Sequence, residues 1–135
     1  MFGCLNLKTK HFYWKSTKKS NSKVFCEFLS QIRTKFPGKQ IVIILDNASI
    51  HKSKETKAYL TRWSQIHVFY LPPYSPEYNP VEIVWRWAKT KVHGFSFRKS
   101  IAVIIERFTE IFWKYNNNAM FNPLKLQLNA YADIL

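Results

Sequence analysis

The sequence predicts an α/β fold, and three observations carry that expectation. Two short apolar runs, Ile41 to Leu45 and Ile66 to Leu71, have strand length and are bounded by polar or proline-containing segments. Amphipathic segments of helical period precede, separate and follow them. Two aromatic-rich stretches near the N-terminus, 2–7 and 11–16, flank a polar Thr9-Lys10 turn and read as a hairpin at one side of the sheet. The expected order is ββ-α-β-α-β-α-α.

Each element has a local reason. Ser20-Asn21-Ser22 offers a helix cap, after which Val24, Phe25, Phe28, Leu29 and Ile32 recur at helical spacing to about Phe36. Pro37-Gly38 stops that helix. Ile41 to Leu45 is continuously apolar, the pattern of a parallel strand buried on both faces, and Ile66 to Leu71 reads the same way. Residues 53–64 form the connecting helix. Four of the six prolines then fall in Leu71–Pro80, a stiff loop able to hold the next element at a fixed angle. Asn79 as cap and Pro80 at the first helical position open a helix to about Val92, ended by Gly94. Trp85 is expected in its core, with Val81 and Ala88. Ser100 to Tyr115 carries Ile101, Ile104, Ile105, Phe108, Ile111 and Phe112 on one side. The segment 116–135 is a polar, then mixed tail with no assigned structure.

At 135 residues the chain has the length of one domain, and 47% hydrophobic content argues against disorder. Charge is lopsided: 21 Lys and Arg against 8 Asp and Glu, a net +13. Such a surface favours polyanions, DNA or RNA above all. Cys4 and Cys26 lack metal-ligand spacing and read as reduced thiols. His11, His67 and His93 lack zinc spacing. No secretory signal or membrane-length apolar run is visible, so a cytoplasmic, nucleoid-associated protein is expected, with no membrane partner.

Asp46 follows the 41–45 run, and ligands of open α/β sheets gather at the carboxyl ends of strands. A carboxylate there suits a hard divalent cation; the alternative is an Asp-Asn turn. Thirty-five residues lie between Asp46 and Glu82, the carboxylate at the start of the helix after the proline loop. Glu82 is a second candidate ligand; counted from Asn79 it also occupies the capping-box position, and the two roles are compatible. Glu82, Arg86 and Lys89 share one helical face, which can follow a DNA backbone or simply be a solvated surface. His51 can contact phosphate or assist proton transfer, and the alternative is polar surface. Asn47 and Lys52 lie on the same loop and are further candidate DNA contacts. Trp87 is a candidate base-stacking residue if exposed, with packing as the alternative.

Two motifs together resemble a known family: Leu45-Asp-Asn-Ala-Ser-Ile-His51, and Leu71-Pro-Pro-Tyr-Ser-Pro-Glu-Tyr-Asn-Pro-Val-Glu-Ile-Val-Trp85. In order and content they resemble the catalytic core of DDE-superfamily transposases, of the mariner-related bacterial insertion-sequence branch, over roughly residues 1–115. The resemblance implies an RNase H-like mixed sheet flanked by helices. It also implies two Mg2+ (or Mn2+) ions held by three carboxylates, and DNA cleavage and strand transfer. Asp46 matches the second carboxylate and Glu82 the third. No acidic residue precedes Glu27, so no match to the first Asp, or to the central strand that carries it, is present. The expectation is therefore a truncated catalytic domain at 1–115, inactive alone, acting as a homodimer or with an upstream-encoded segment. The alternative is a non-enzymatic remnant that binds nucleic acid or oligomerises. A basic ribosome-associated protein would share the composition but not the proline loop leading into Glu82.

Overall fold

A computed structural model describes residues 1–92 and 100–117. It is a mixed α/β structure. In chain order the elements are β1 (Phe2–Leu5), β2 (Phe12–Lys15), α1 (Ser22–Lys35), β3 (Ile41–Leu45), α2 (Lys54–Arg62), β4 (Ile66–Tyr70), α3 (Val81–Val92) and α4 (Ile101–Asn117), with 3-10 turns at Ser49–Lys52 and Pro76–Tyr78. The expected order is reproduced. The helix stop at Gly94, His93 and residues 118–135 lie outside the described residues.

The chain forms two compact units. The first is Met1–Phe2 with Trp14–Asn79; the second is Gly3–Tyr13 with the described residues from Pro80 on.

In the first unit, Asn21 caps α1: its side-chain oxygen accepts the Val24 amide at 3.0 Å. Gly38, at φ +70, takes the left-handed conformation that turns the chain toward β3. β3 and β4 pair in parallel, with Ile41 opposite Ile66 and Leu45 opposite Tyr70. One face of the pair meets the helices. Phe25, Leu29, Ile43 and Ile66 form its buried core, with Phe2, Tyr59, Leu60 and Val68 packed around them. The other face is open: Val42 and Phe69 are each 62% exposed. The expectation of strands buried on both faces is thus corrected. A continuous apolar run shows that both faces are apolar, and in this structure α1 and α2 cover one of them. The Ser30 and Tyr59 hydroxyls meet at 2.8 Å, tying α1 to α2.

The sheets also differ from expectation. Among the described residues β1 pairs with β2 and β3 with β4, as separate two-stranded sheets rather than one mixed sheet. Every strand therefore keeps one backbone edge that no described strand pairs.

The second unit is an aromatic cluster. Phe12 and Phe112 are fully buried with ring centroids 4.5 Å apart, and Trp85 meets both edge-on at 5.5 and 5.3 Å. Trp85 is partly buried and packs on this cluster through α4 and the hairpin, its ring partners being Phe12, Phe108 and Phe112. A Cβ on Gly3 would lie 2.4 Å from the Phe12 ring and 2.7 Å from the Trp85 ring, so only glycine admits this approach. Trp87 packs on Tyr115, centroids 5.8 Å apart, which favours packing over base stacking. Asn116, expected in the tail, lies in α4 and grips β2: it accepts the Phe12 amide at 2.8 Å and donates to the Phe12 carbonyl at 2.9 Å. Burial pushes the Cys4 thiol up to about 11 and the Tyr115 phenol up to about 12. Both cysteines are free thiols.

Candidate metal and nucleic-acid site

Asp46 is the first residue beyond β3, at the carboxyl end of the parallel pair. The ladder closes beside it, where the Leu71 amide donates to the Leu45 carbonyl at 2.8 Å. The next six residues then fold back on the aspartate. Its Oδ1 accepts the Ala48 amide at 3.0 Å, an Asx turn, and His51 Nδ1 lies 2.9 Å from the same oxygen. A carboxylate only accepts, so Nδ1 carries the proton in this contact. The His51 amide donates to the Ala48 carbonyl at 3.0 Å, closing the 3-10 turn. No described residue bonds to Asp46 Oδ2, and the side chain is 57% exposed.

Neighbouring elements fix this turn. The His51 ring lies on Phe25 of α1 at a centroid distance of 4.5 Å, and the imidazole is only 12% exposed. Tyr70, at the end of β4, donates its hydroxyl to the His51 carbonyl at 2.9 Å. Asn47 donates its amide to the Leu71 carbonyl and accepts from Lys52 Nζ. That ammonium also lies 4.8 Å from the Tyr70 ring centroid. Ser53 caps α2 through the Thr56 amide at 3.1 Å, and the buried Thr56 hydroxyl donates to the Ile50 carbonyl at 2.6 Å.

The structure therefore brings Asp46, Asn47, His51 and Lys52 into one bonded turn. Asn47 and His51 spend polar groups on holding that turn. Lys52 is exposed but bonded to Asn47. Phe25, Tyr70 and Thr56, which support the turn, were not anticipated. Tyr70 had a signal: parallel pairing of the two apolar runs from their first residues, Ile41 with Ile66, places it opposite Leu45, next to Asp46.

Glu82 lies on α3, in the second unit. The helix begins at Val81, one residue later than expected, and Asn79 instead ends the preceding 3-10 turn by donating its amide to the Pro76 carbonyl at 3.0 Å. Glu82 remains in the first turn of α3 but makes no capping bond to Asn79, and no described residue pairs its carboxylate. Arg86 and Lys89 are exposed on the same helix, without bonded partners among the described residues. In the proline loop, Tyr74 is fully exposed and adopts φ 56, and Tyr78 is also exposed.

The donor chemistry at Asp46 fits a hard divalent cation: one carboxylate oxygen is anchored and the other is open to solvent. Among the described residues, no group of three or more His, Cys, Asp or Glu is arranged to hold a metal ion. None of the described helices is long and apolar enough to cross a membrane.

Comparison with known proteins agrees with the motifs. A family model described as DDE superfamily endonuclease matches residues 1–104. A protein of Shigella sonnei, the insertion element IS630 uncharacterized 39 kDa protein, is 37% identical over 67 residues, covering 49% of this chain. The match spans 20% of that relative's length.

Proposed function

The chain belongs to the DDE superfamily endonucleases, and on that premise we propose that it carries the second and third catalytic carboxylates of an insertion-element transposase acting on DNA phosphodiesters. The observation that carries this reading is the Asp46 turn: a carboxylate at a parallel strand end, anchored through Oδ1 and open at Oδ2. The reaction is attack of water, and then of a DNA 3′-hydroxyl, on phosphorus, each step forming one P–O bond and breaking another, with the leaving DNA oxygen taking up a proton. Asp46 and Glu82 would be the residues that hold the cations, Mg2+ or Mn2+, two in the complete site. When bound, they stabilise charge on the attacking and leaving oxygens. Arg86 and Lys89, with Lys52 and Asn47 as weaker candidates, face the DNA backbone, whereas His51 is committed to the Asp46 turn. An RNase H-like sheet would need a further strand that bears the remaining carboxylate. The open face of β3–β4 and the unpaired strand edges support a homodimer or a complex with an upstream-encoded segment as the working assembly. A cytoplasmic, nucleoid-associated location follows from that role.

Two carboxylates hold two cations poorly, so the chain alone should bind DNA without cutting it. Iron-directed cleavage tests the ligand assignment. With Fe2+ in place of the native cation, ascorbate and peroxide should break the backbone beside residues 46 and 82, and Asp46→Asn should suppress both cuts. Absence of cutting at either position overturns it. A plasmid-nicking assay with Mg2+ tests inactivity: cleavage by the purified chain, lost in Asp46→Ala, would overturn that part alone.

A second reading, a non-enzymatic nucleic-acid-binding remnant, is favoured by the absence of a three-ligand group among the described residues. It requires that no iron-directed cuts appear beside residues 46 and 82.

A further inference from the structure

We propose that His51 is a positioning residue for Asp46: it fixes the carboxylate rotation so that Oδ2 alone is presented to a cation. The inference rests on the assignment of Asp46 as a metal ligand. A half-exposed carboxylate with one anchor still rotates about its Cβ–Cγ bond and presents either oxygen, or both. Asp46 has two anchors on the same oxygen. The Ala48 amide, at 3.0 Å, comes from the backbone of the turn; His51 Nδ1, at 2.9 Å, comes from the other end of it. With both of these donors on Oδ1, chelation through both oxygens requires breaking a bond. Oδ2, without a described partner, is the oxygen left for the cation.

The imidazole is itself held rigidly. Its ring packs against Phe25 at a tilt of 40°, its main-chain carbonyl accepts the Tyr70 hydroxyl, and its main-chain amide donates to the Ala48 carbonyl. Nδ1 also lies 3.3 Å from the Asp46 carbonyl, so the nitrogen stays over the aspartate whichever of the two oxygens it favours. A ring 12% exposed, packed on an aromatic face and committed through Nδ1, is built to orient a neighbour rather than to meet DNA. Hydrogen-bonding partners behind metal ligands typically govern affinity by about 10–100-fold.

The test is Mn2+ affinity of the purified chain, read by electron paramagnetic resonance, with thermal melts to establish folding. His51→Phe keeps a ring against Phe25 and removes the donor; His51→Asn restores a donor near the Nδ1 position without the ring. Expected results are loss of Mn2+ uptake in Asp46→Asn, affinity about tenfold weaker in His51→Phe, and near wild-type affinity in His51→Asn. Loss in Asp46→Asn with unchanged affinity in His51→Phe overturns the positioning role and leaves the ligand assignment standing. Equal weakening in His51→Phe and His51→Asn also overturns it, because ring packing and not the donor would then be what matters. Mn2+ uptake that is absent in wild type, or unchanged in Asp46→Asn, overturns the ligand assignment and this proposal with it.

Discussion

The side chain of Asn116 substitutes for a strand neighbour, binding both the amide and the carbonyl of Phe12. Removing it breaks both of these bonds to partly buried backbone groups beside the aromatic cluster. Asn116→Ala should therefore lower stability by about 1–3 kcal/mol, measured by urea denaturation. A loss below about 0.5 kcal/mol would mean that water replaces the amide freely. Nothing in the sequence marks this residue: it opens an Asn-Asn-Asn run, and its partner lies 104 positions away in the chain. Asp46 and Glu82 are different, because each sits at the end of a legible local pattern. His51 was legible as a candidate but not in its role. Only the fold of the turn shows that its ring nitrogen meets the Asp46 carboxylate and that Phe25, from α1, backs the ring.

The helices and strands were largely legible because their signals are local: the Asn21 cap, the Pro37-Gly38 stop, and two short apolar runs. What covers each strand was not legible, since an apolar run lacks the alternation that distinguishes an inner from an outer face. β3 makes the consequence measurable. Ile43 lies in the core, while its neighbour Val42 faces outward. Ile43→Ala should cost about 2–4 kcal/mol and Val42→Thr less than about 0.5 kcal/mol, both by thermal or urea unfolding. Comparable losses at the two positions would show that the open face is covered in solution. At the start of α3, Glu82 had two compatible roles, cap and ligand. The helix begins at Val81 and Glu82 makes no capping bond, so Glu82→Gln should change stability by less than about 0.5 kcal/mol, the residual effect of the helix dipole. A loss of about 1 kcal/mol or more would restore the capping role.

Across the molecule, charge is the property the sequence states most directly and the folded structure leaves most open to partners. Eight acidic residues cannot neutralise 21 basic ones, however many ion pairs like that of Lys15 with Glu27 form. The surplus acts on DNA by releasing condensed counterions, so affinity must fall steeply with salt, by a slope near −0.9 for every phosphate neutralised. Composition alone cannot say which cations make contact. α3 narrows the choice, because Arg86 and Lys89 are exposed and carry no bonded partner among the described residues. Arg86→Gln with Lys89→Gln should therefore reduce the magnitude of the salt slope by about 2, in fluorescence-anisotropy titrations of duplex DNA. An unchanged slope would place the DNA on another surface of the chain. Chelator should leave the wild-type slope intact, since the phosphate contacts of Lys and Arg need no divalent cation. A slope that collapses with chelator would mean that Asp46 and Glu82 reach the DNA only through a bound cation, and that the carboxylates, rather than the basic residues, set the affinity.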